Sequence, residues 1–306
     1  MARFLAIRLS QAIVVLLVVT AIAFGLAHLS GDPARLMAPA GASDQDVAQL
    51  RRALGLDRPL WEQFATFVTG ALRGDLGHSL AFRQPVWDLI ASRIPATLEL
   101  GVAAMTLATV FGLPLGVVAA ARRGGPIDAV FRTLALLGQS IPLFWIGLVM
   151  IMTFSLRFGW FPSSGRGDLS HLVLPAVTLS IYPLSQILRL TRAEVLETLN
   201  SDYIRTARSK GVPEYLVMTR HALRNALLSI ITVIGLQLGA VLGGAIITET
   251  IFAWPGLGRL AIQAVSARDY PLLQGIVLVI SASFIFINAM VDVLYAVADP
   301  RIRVGR

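Results

Sequence analysis

An all-α membrane protein of six spanning helices is the fold class this sequence predicts, on three observations. Apolar residues make up 56% of the 306 positions and charged ones only 14%, where soluble domains carry about a quarter charged. Charged side chains, with His171 at one boundary, punctuate the sequence and leave six long apolar gaps. Lys and Arg concentrate in alternate connections between those gaps, as the positive-inside rule expects of a polytopic chain.

The gaps follow in order. Arg8 to Asp32 encloses 23 residues, Glu99 to Arg122 encloses 22, and Arg132 to Arg157 encloses 24. His171 to Arg189 encloses 17, Arg224 to Glu249 encloses 24, and Asp269 to Asp292 encloses 22. A spanning helix needs roughly 20 apolar residues, so five gaps qualify outright. The fourth is short and holds Pro175 and Pro183, but Leu190 and the alkyl stem of Arg189 can extend it. Counted with both termini in the cytoplasm, the inner connections and ends hold 15 Lys and Arg and the short outer loops hold four. Residues 1–30 are therefore expected to be a cytoplasmic start and first span. Residues 31–97 form an outer segment, 98–297 the core transmembrane domain with cytoplasmic loop 191–226, and 298–306 a cytoplasmic tail. The apolar stretch Ala12 to Leu29 exceeds the usual signal-peptide core, which points to a retained helix.

The outer segment reads as short helices. Ser43 and Asp46 have the spacing of a capping box before "DVAQLRRAL", and Gly55 ends that run. Pro59 suits the first turn of "PLWEQFATFVTGALR", whose Leu60, Phe64 and Phe67 share a face. "GDLGHS" breaks the chain, and Pro85 starts a third short helix. The segment is either a helical cap on the bundle or a surface for an extracytoplasmic partner.

Catalytic constellations are missing. His28, His78, His171 and His221 are scattered with no HExxH pair, and the sequence has no G-x-S-x-G elbow and no G-x-x-x-x-G-K-[ST] phosphate loop. Ser140, Ser281 and Ser283 lie deep in spans without a histidine to serve them. No cysteine is present. The expectation is a non-enzyme without a catalytic residue, metal or bound cofactor. The formal charge of +8 is assigned to the cytoplasmic face of a bilayer rather than to nucleic acid.

Within the spans, Gln139, Gln186, Gln237 and Asn288 are the deep polar groups. Such side chains either hydrogen-bond between helices or line a pathway. Gly235, Gly239 and Gly243, spaced i, i+4, i+8 in "GLQLGAVLGGA", form a face that a neighbouring backbone can approach, within the chain or at a subunit interface or gate. Gly112 and Gly116 bracket Pro114 in a weaker version of the same pattern, with a kink expected.

The loop between spans four and five is charged yet ordered. Ser201 is a suitable N-cap, Asp202 lies in the first turn, and Arg208 and Lys210 lie at the C-terminus. Gly211 supplies a left-handed C′ position, Val212 is pushed extended by Pro213, and Pro213 opens a second helix. The residues alone leave two readings, a solvated loop or a rigid knob that docks a cytoplasmic partner.

"DYIRTARSKGVPEYLVMTRHALRNALLSIITVIGLQ" resembles the cytoplasmic EAA loop of permease subunits of ABC importers, in their dipeptide/oligopeptide/nickel branch and nearest its dipeptide permeases. "LGLDRPLWEQF", "RIPATLEL", "TETIFAWPGLGRL", "ARDYPLLQG" and "DVLYAVADPRIR" extend the resemblance over nearly the whole chain. The generic Glu-Ala-Ala is replaced by Arg205, Thr206 and Ala207, Ser229 stands where many relatives have proline, and "GWFPSSGRGDLSH" is short.

The resemblance implies a type I importer transmembrane domain with an N-terminal extracytoplasmic insertion, in the bacterial inner membrane. It implies a second homologous permease, two ATPase subunits holding ATP and Mg2+, and a solute-binding protein that delivers short peptides. Asp202, Tyr203, Arg205, Thr206, Ala207, Lys210, Gly211 and Glu214 would dock on an ATPase and couple hydrolysis to transport. Nickel or glutathione is the alternative cargo. A stand-alone secondary transporter or channel is the rival class, and a structural scaffold is a third; the spans lack the carboxylates a proton-driven carrier would use.

Overall fold

The computed structural model describes residues 2–29, 34–35, 41–53 and 55–298, with the side chains of 2–9, 26–29, 53, 228 and 292–298 left aside. The expected cytoplasmic tail beyond Ala298, the Asp292 and His28 side chains, Ser30 of the first segment and residues 31–33 and 36–40 of the outer segment lie outside the described residues. Among the described residues there is no β-strand, only an isolated bridge between His78 and Pro85.

The helices are α1 Ala2–Leu29, α2 Asp44–Ala53, α3 Leu60–Leu72, α4 Val86–Ala121, α5 Pro126–Ser140 and α6 Leu143–Met150. They continue with α7 Leu169–Leu199, α8 Asp202–Ser209, α9 Glu214–Leu216, α10 Arg224–Ile251, α11 Leu257–Ser266 and α12 Tyr270–Ala298. Two wider π-helical stretches, Ile151–Arg157 after α6 and Val217–Leu223 before α10, complete the order.

Four described helical segments are long and apolar enough to cross a membrane unaided: Val86–Ala121, Leu169–Leu199, Ser229–Ile251 and Tyr270–Val291. Ser10–Gly25 of α1 is a shorter apolar stretch. The third expected span is not one straight helix. Pro126–Ser140 and Leu143–Arg157 meet at a bend of 104° and make a fifth span only if taken together. The cause is Pro142, which has no N–H to continue the ladder and which pushes Ile141 to the extended φ −78°, ψ 129°. A second correction concerns Pro85. The helix after it is not short but runs 36 residues, so the expected third outer helix is the start of the second span. Asp88, Arg93 and Glu99 all lie on it.

The chain divides into two compact units, Met1–Pro95 with Gly256–Ile285, and Ala96–Pro255 with Phe286–Arg306. In the first, Leu76, Val86, Ile90, Leu260, Leu272 and Ile276 form the core. The Ser43–Asp46 capping box is present: Asp46 N donates to Ser43 Oγ at 3.2 Å and Ser43 N donates to Asp46 Oδ2 at 3.0 Å. Those bonds to Ser43 hold the Asp46 carboxyl below its usual range. Phe64 packs edge-on against Phe24, ring centroids 5.5 Å apart, whereas Leu60 is exposed. Asp269 is fully buried. It accepts from Ser79 Oγ at 2.5 Å, from Ala81 N at 3.0 Å and from Leu272 N at 3.2 Å, so one carboxylate caps α12 and fixes the 79–81 loop.

In the second unit, α4, α7 and α10 pack through Leu100, Ala104, Ala108, Leu179, Ile187 and Val241, with Trp254, just beyond α10, in the same cluster. The face of α4 is a row of mostly small residues at every fourth position: Ala96, Leu100, Ala104, Ala108, Gly112, Gly116 and Ala120 are all buried. Small side chains let helix backbones approach closely in a membrane, where there is little hydrophobic drive between helices. A Cβ added to Gly112 would lie 3.0 Å from Leu184 O, and one added to Gly116 would lie 2.7 Å from Leu188 O, both on α7. The helix is continuous through Pro114. Trp254 donates from Nε1 to Ala96 O at 2.8 Å, and Glu249, read in the sequence only as a span boundary, is fully buried and accepts from Thr97 Oγ1 at 2.6 Å.

Candidate coupling loop and bundle interior

The loop after α7 folds as its caps dictate. α8 spans Asp202–Ser209. Gly211 takes φ +73°. Its N–H donates to Arg208 O at 2.9 Å and Val212 N donates to Ala207 O at 3.2 Å, the paired bonds of a Schellman cap. Pro213 follows as N-cap of α9 rather than as its first residue. Ser201 has the extended N-cap backbone, but its hydroxyl does not cap. It donates back to Thr198 O at 2.5 Å, which ties the knob to the end of α7.

Three contacts unforeseen in the sequence brace the elbow. Ile204 is fully buried under α8. Arg208 donates to both carboxylate oxygens of Glu214, at 3.1 and 2.6 Å, across the glycine turn. This fork raises the Arg208 pKa and lowers that of Glu214. Tyr203 Oη accepts from Asn225 Nδ2 at 2.6 Å and donates to His221 O at 3.4 Å, which joins α8 to the start of α10. Of the residues expected to couple, Asp202, Tyr203, Arg205, Thr206, Lys210, Gly211 and Glu214 are exposed and Ala207 is half-buried. They form one polar surface over an apolar anchor. Beneath it, Ala120, Val195, Met218, Ala222, Ala226 and Ile230 pack together.

A buried ion pair lies near the same end of α7. Arg192 donates from Nε and Nη2 to Asp128 at 2.5 and 2.9 Å, Gly124 N donates to Asp128 at 3.1 Å, and Arg132 stands 3.8 Å away. At the opposite end of α7, Asp168 is the N-cap and accepts from Ser170 N at 3.1 Å and Ser170 Oγ at 2.5 Å. The bonds to Ser170, reinforced by His171, pull the Asp168 carboxyl down to about 2.

Farther back along α7, in a half-exposed network, Gln186 Nε2 donates to Gln139 Oε1 and to Tyr182 Oη, both at 3.3 Å, and Arg189 Nη2 donates to Gln186 Oε1 at 3.1 Å. Gln139 and Gln237 line a cavity of about 280 Å³. Asn288 lies half-buried on α12 and does not line that cavity. The three-glycine face divides: Gly235 packs against the Val291 side chain, Gly239 is buried, and Gly243 is exposed with open space where a Cβ would project. Gly235 meets a side chain, whereas the Gly112–Gly116 face is the one that approaches the backbone of a neighbouring helix. Among the described residues no group of His, Asp or Glu is arranged to hold a metal ion.

These features define a polytopic helical membrane protein with an ordered, charged elbow between two long helices. Binding-protein-dependent transport system inner membrane components match residues 112–304, and the N-terminal component of such systems matches residues 1–101. The dipeptide transport system permease protein DppB of Escherichia coli K12 is 44% identical over 99% of both chains. The glutathione transport system permease protein GsiC of Escherichia coli O6:H1 is also 44% identical, over 97% of both. A solved structure of the inward-facing MetNI methionine ABC transporter superposes with a TM-score of 0.60 at 21% identity, covering 69% of this chain and 96% of that one, a likeness of fold. The chain belongs to the family of inner membrane components of binding-protein-dependent transport systems: it is a permease subunit of an ABC importer, multi-pass in the inner membrane.

Proposed function

We propose that this chain forms half of the translocation path of an ATP-driven importer for short peptides. The observation that carries the reading is full-length similarity at 44% identity to a dipeptide permease. In this reading α1, the bent α5–α6 pair and the four long helices make six spans in the type I importer arrangement, with both termini cytoplasmic and segment 31–97 outside. A second, homologous permease completes the path. Two ATPase subunits hold ATP and Mg2+, and this chain holds neither. A solute-binding protein delivers cargo.

The elbow from Asp202 to Glu214 docks on an ATPase and transmits its closure to α7 and α10. Its Schellman cap, buried Ile204 and Arg208–Glu214 fork support that role, because a part that transmits force has to move as one body. The exposed Gly243 supports contact of α10 with the paired permease.

Glutathione is the second reading, favoured by the equal identity to a glutathione permease. Uptake of labelled dipeptides and of glutathione in cells with and without this chain separates the two. Loss of dipeptide uptake alone supports the first reading, loss of glutathione uptake alone replaces it with the second, and loss of neither sinks both.

A further inference from the structure

The cavity in the second unit is lined by Gln139, Tyr182 and Gln237 among apolar groups such as Leu143, Ile146 and Val241, with no charged side chain. Its polar groups are only partly satisfied by the chain itself, for Gln139 Oε1 and Tyr182 Oη both accept from Gln186. Gln139 Nε2 is buried without a hydrogen-bond partner. Gln237, 8% exposed, lines the same cavity. A buried amide that lacks a partner loses the water it would otherwise have bound, so a native site that keeps one calls for an explanation.

The direction in which Gln139 points is fixed from outside the cavity. An arginine can only donate. Arg189 therefore holds the oxygen of Gln186, at 3.1 Å, and turns the Gln186 NH2 group toward Gln139 and Tyr182. Gln139 must then meet Gln186 with its oxygen, which leaves its NH2 group as the free end. Tyr182 Oη, already accepting from Gln186, has its own proton to give. The chain of amides thus ends on donors, and an amide flip would set two NH2 groups or two oxygens against each other.

We infer that this cavity is a peptide-backbone subsite, in which Gln139 and Tyr182 donate to a carbonyl oxygen of the cargo and Arg189, through Gln186, sets that polarity. The inference rests on the peptide reading above. Donors without a cation suit a neutral amide carbonyl better than a free carboxylate, which would favour a charged partner. Gln237 can pair with the N–H or carbonyl of the same backbone, and the apolar lining accepts a side chain without selecting its polar chemistry. Arg189 is a positioning residue here and does not touch the cargo.

The test compares uptake of labelled Ala-Ala with that of its thioamide analogue, in which sulfur, a weak acceptor, replaces the carbonyl oxygen. Cells carry the complete transporter with wild-type chain, Gln139→Met or Arg189→Gln. The binding protein is the same throughout, so a change in the oxo-to-thio ratio reports the permease. Gln139→Met should lower Ala-Ala uptake about tenfold, the scale of one lost hydrogen bond to a desolvated group, and bring the ratio toward that of the binding protein alone. Arg189 is exposed, so Arg189→Gln should preserve the fold while letting the amides reverse, and should lower the ratio in part. Unchanged uptake and ratio in both variants, at wild-type membrane levels, overturn the subsite but not the peptide reading. Absence of Ala-Ala uptake by the wild-type transporter overturns the peptide reading and the subsite together.

Discussion

Arg192 grips Asp128 with two hydrogen bonds, of 2.5 and 2.9 Å, and leaves the carboxylate only 1% exposed. The pair fastens the first turn of α5 to the last third of α7, a few residues before the elbow. A buried charge stripped of its partner is costly, far more so than a surface pair. Asp128→Ala should destabilise the assembled permease by about 3 kcal/mol, read as a lowered thermal midpoint in detergent. Exchange of the two residues, Asp128→Arg with Arg192→Asp, should recover part of the loss. A midpoint for Asp128→Ala within error of wild type would show that the pair does not hold the helices.

Gly211 sits at φ +73°, where a β-branched residue is strained. No atom lies within 4 Å of an added Cβ, so the penalty is conformational and not steric crowding. Gly211→Val should insert into the membrane at normal levels and lose ATP-dependent uptake, while Gly211→Asn should keep much of it, since Asn tolerates the left-handed region. Full uptake by a stably expressed Gly211→Val variant would remove the elbow from the coupling mechanism.

The two glycine faces should answer differently to the same change. Gly116→Ala places a methyl group 2.7 Å from Leu188 O and should cost about 1–3 kcal/mol through overpacking. Gly243→Ala meets nothing in this chain and should leave the subunit's own stability unchanged. If Gly243→Leu weakens co-purification of a second permease without altering the isolated subunit, the exposed glycine lies at an interface. Normal co-purification would place it elsewhere.

The Arg208–Glu214 fork carries a pH dependence of known sign. The Glu214 pKa is lowered from 4.5 in the folded elbow. Its contribution is therefore complete above pH 4.5 and is lost as pH falls through the depressed folded value. Both groups are largely exposed, so the effect is a modest loosening of residues 208–214 in acid. Faster amide exchange there at pH 4 than at pH 6, after correction for intrinsic rates, is expected in wild type and should vanish in Glu214→Gln. A wild-type segment equally protected at both values would count against the fork.

Local chemistry was legible in the sequence, and long-range pairing was not. Gly211, Pro213, Ser43 and Asp46 announce their turns and caps because each acts on its own few residues. The bend at Ile141–Pro142 is also written there, but in a missing N–H, which leaves the hydropathy of the uncharged gap unchanged. The uncharged gap starts only after Glu99, although Asp88, Arg93 and Glu99 lie on the helix that starts at Val86. The every-fourth-residue row from Ala96 to Ala120 was visible as a period, and only Gly112 and Gly116 drew notice. Ile204, Asp128 with Arg192, and Glu249 with Thr97 depend on which helices become neighbours, which a single sequence does not disclose.

The π-helical stretch Val217–Leu223 lies between the elbow and α10. A π turn holds one residue more than an α turn, so it stores a spare residue in the thread. Were it to rewind as α-helix, everything beyond it would rotate by about 100° for each residue released. The glycines of α10 would then face new neighbours although neither end had lost its helical hydrogen bonding. Such a joint would work as a screw rather than a hinge, converting a push along the axis into a turn about it.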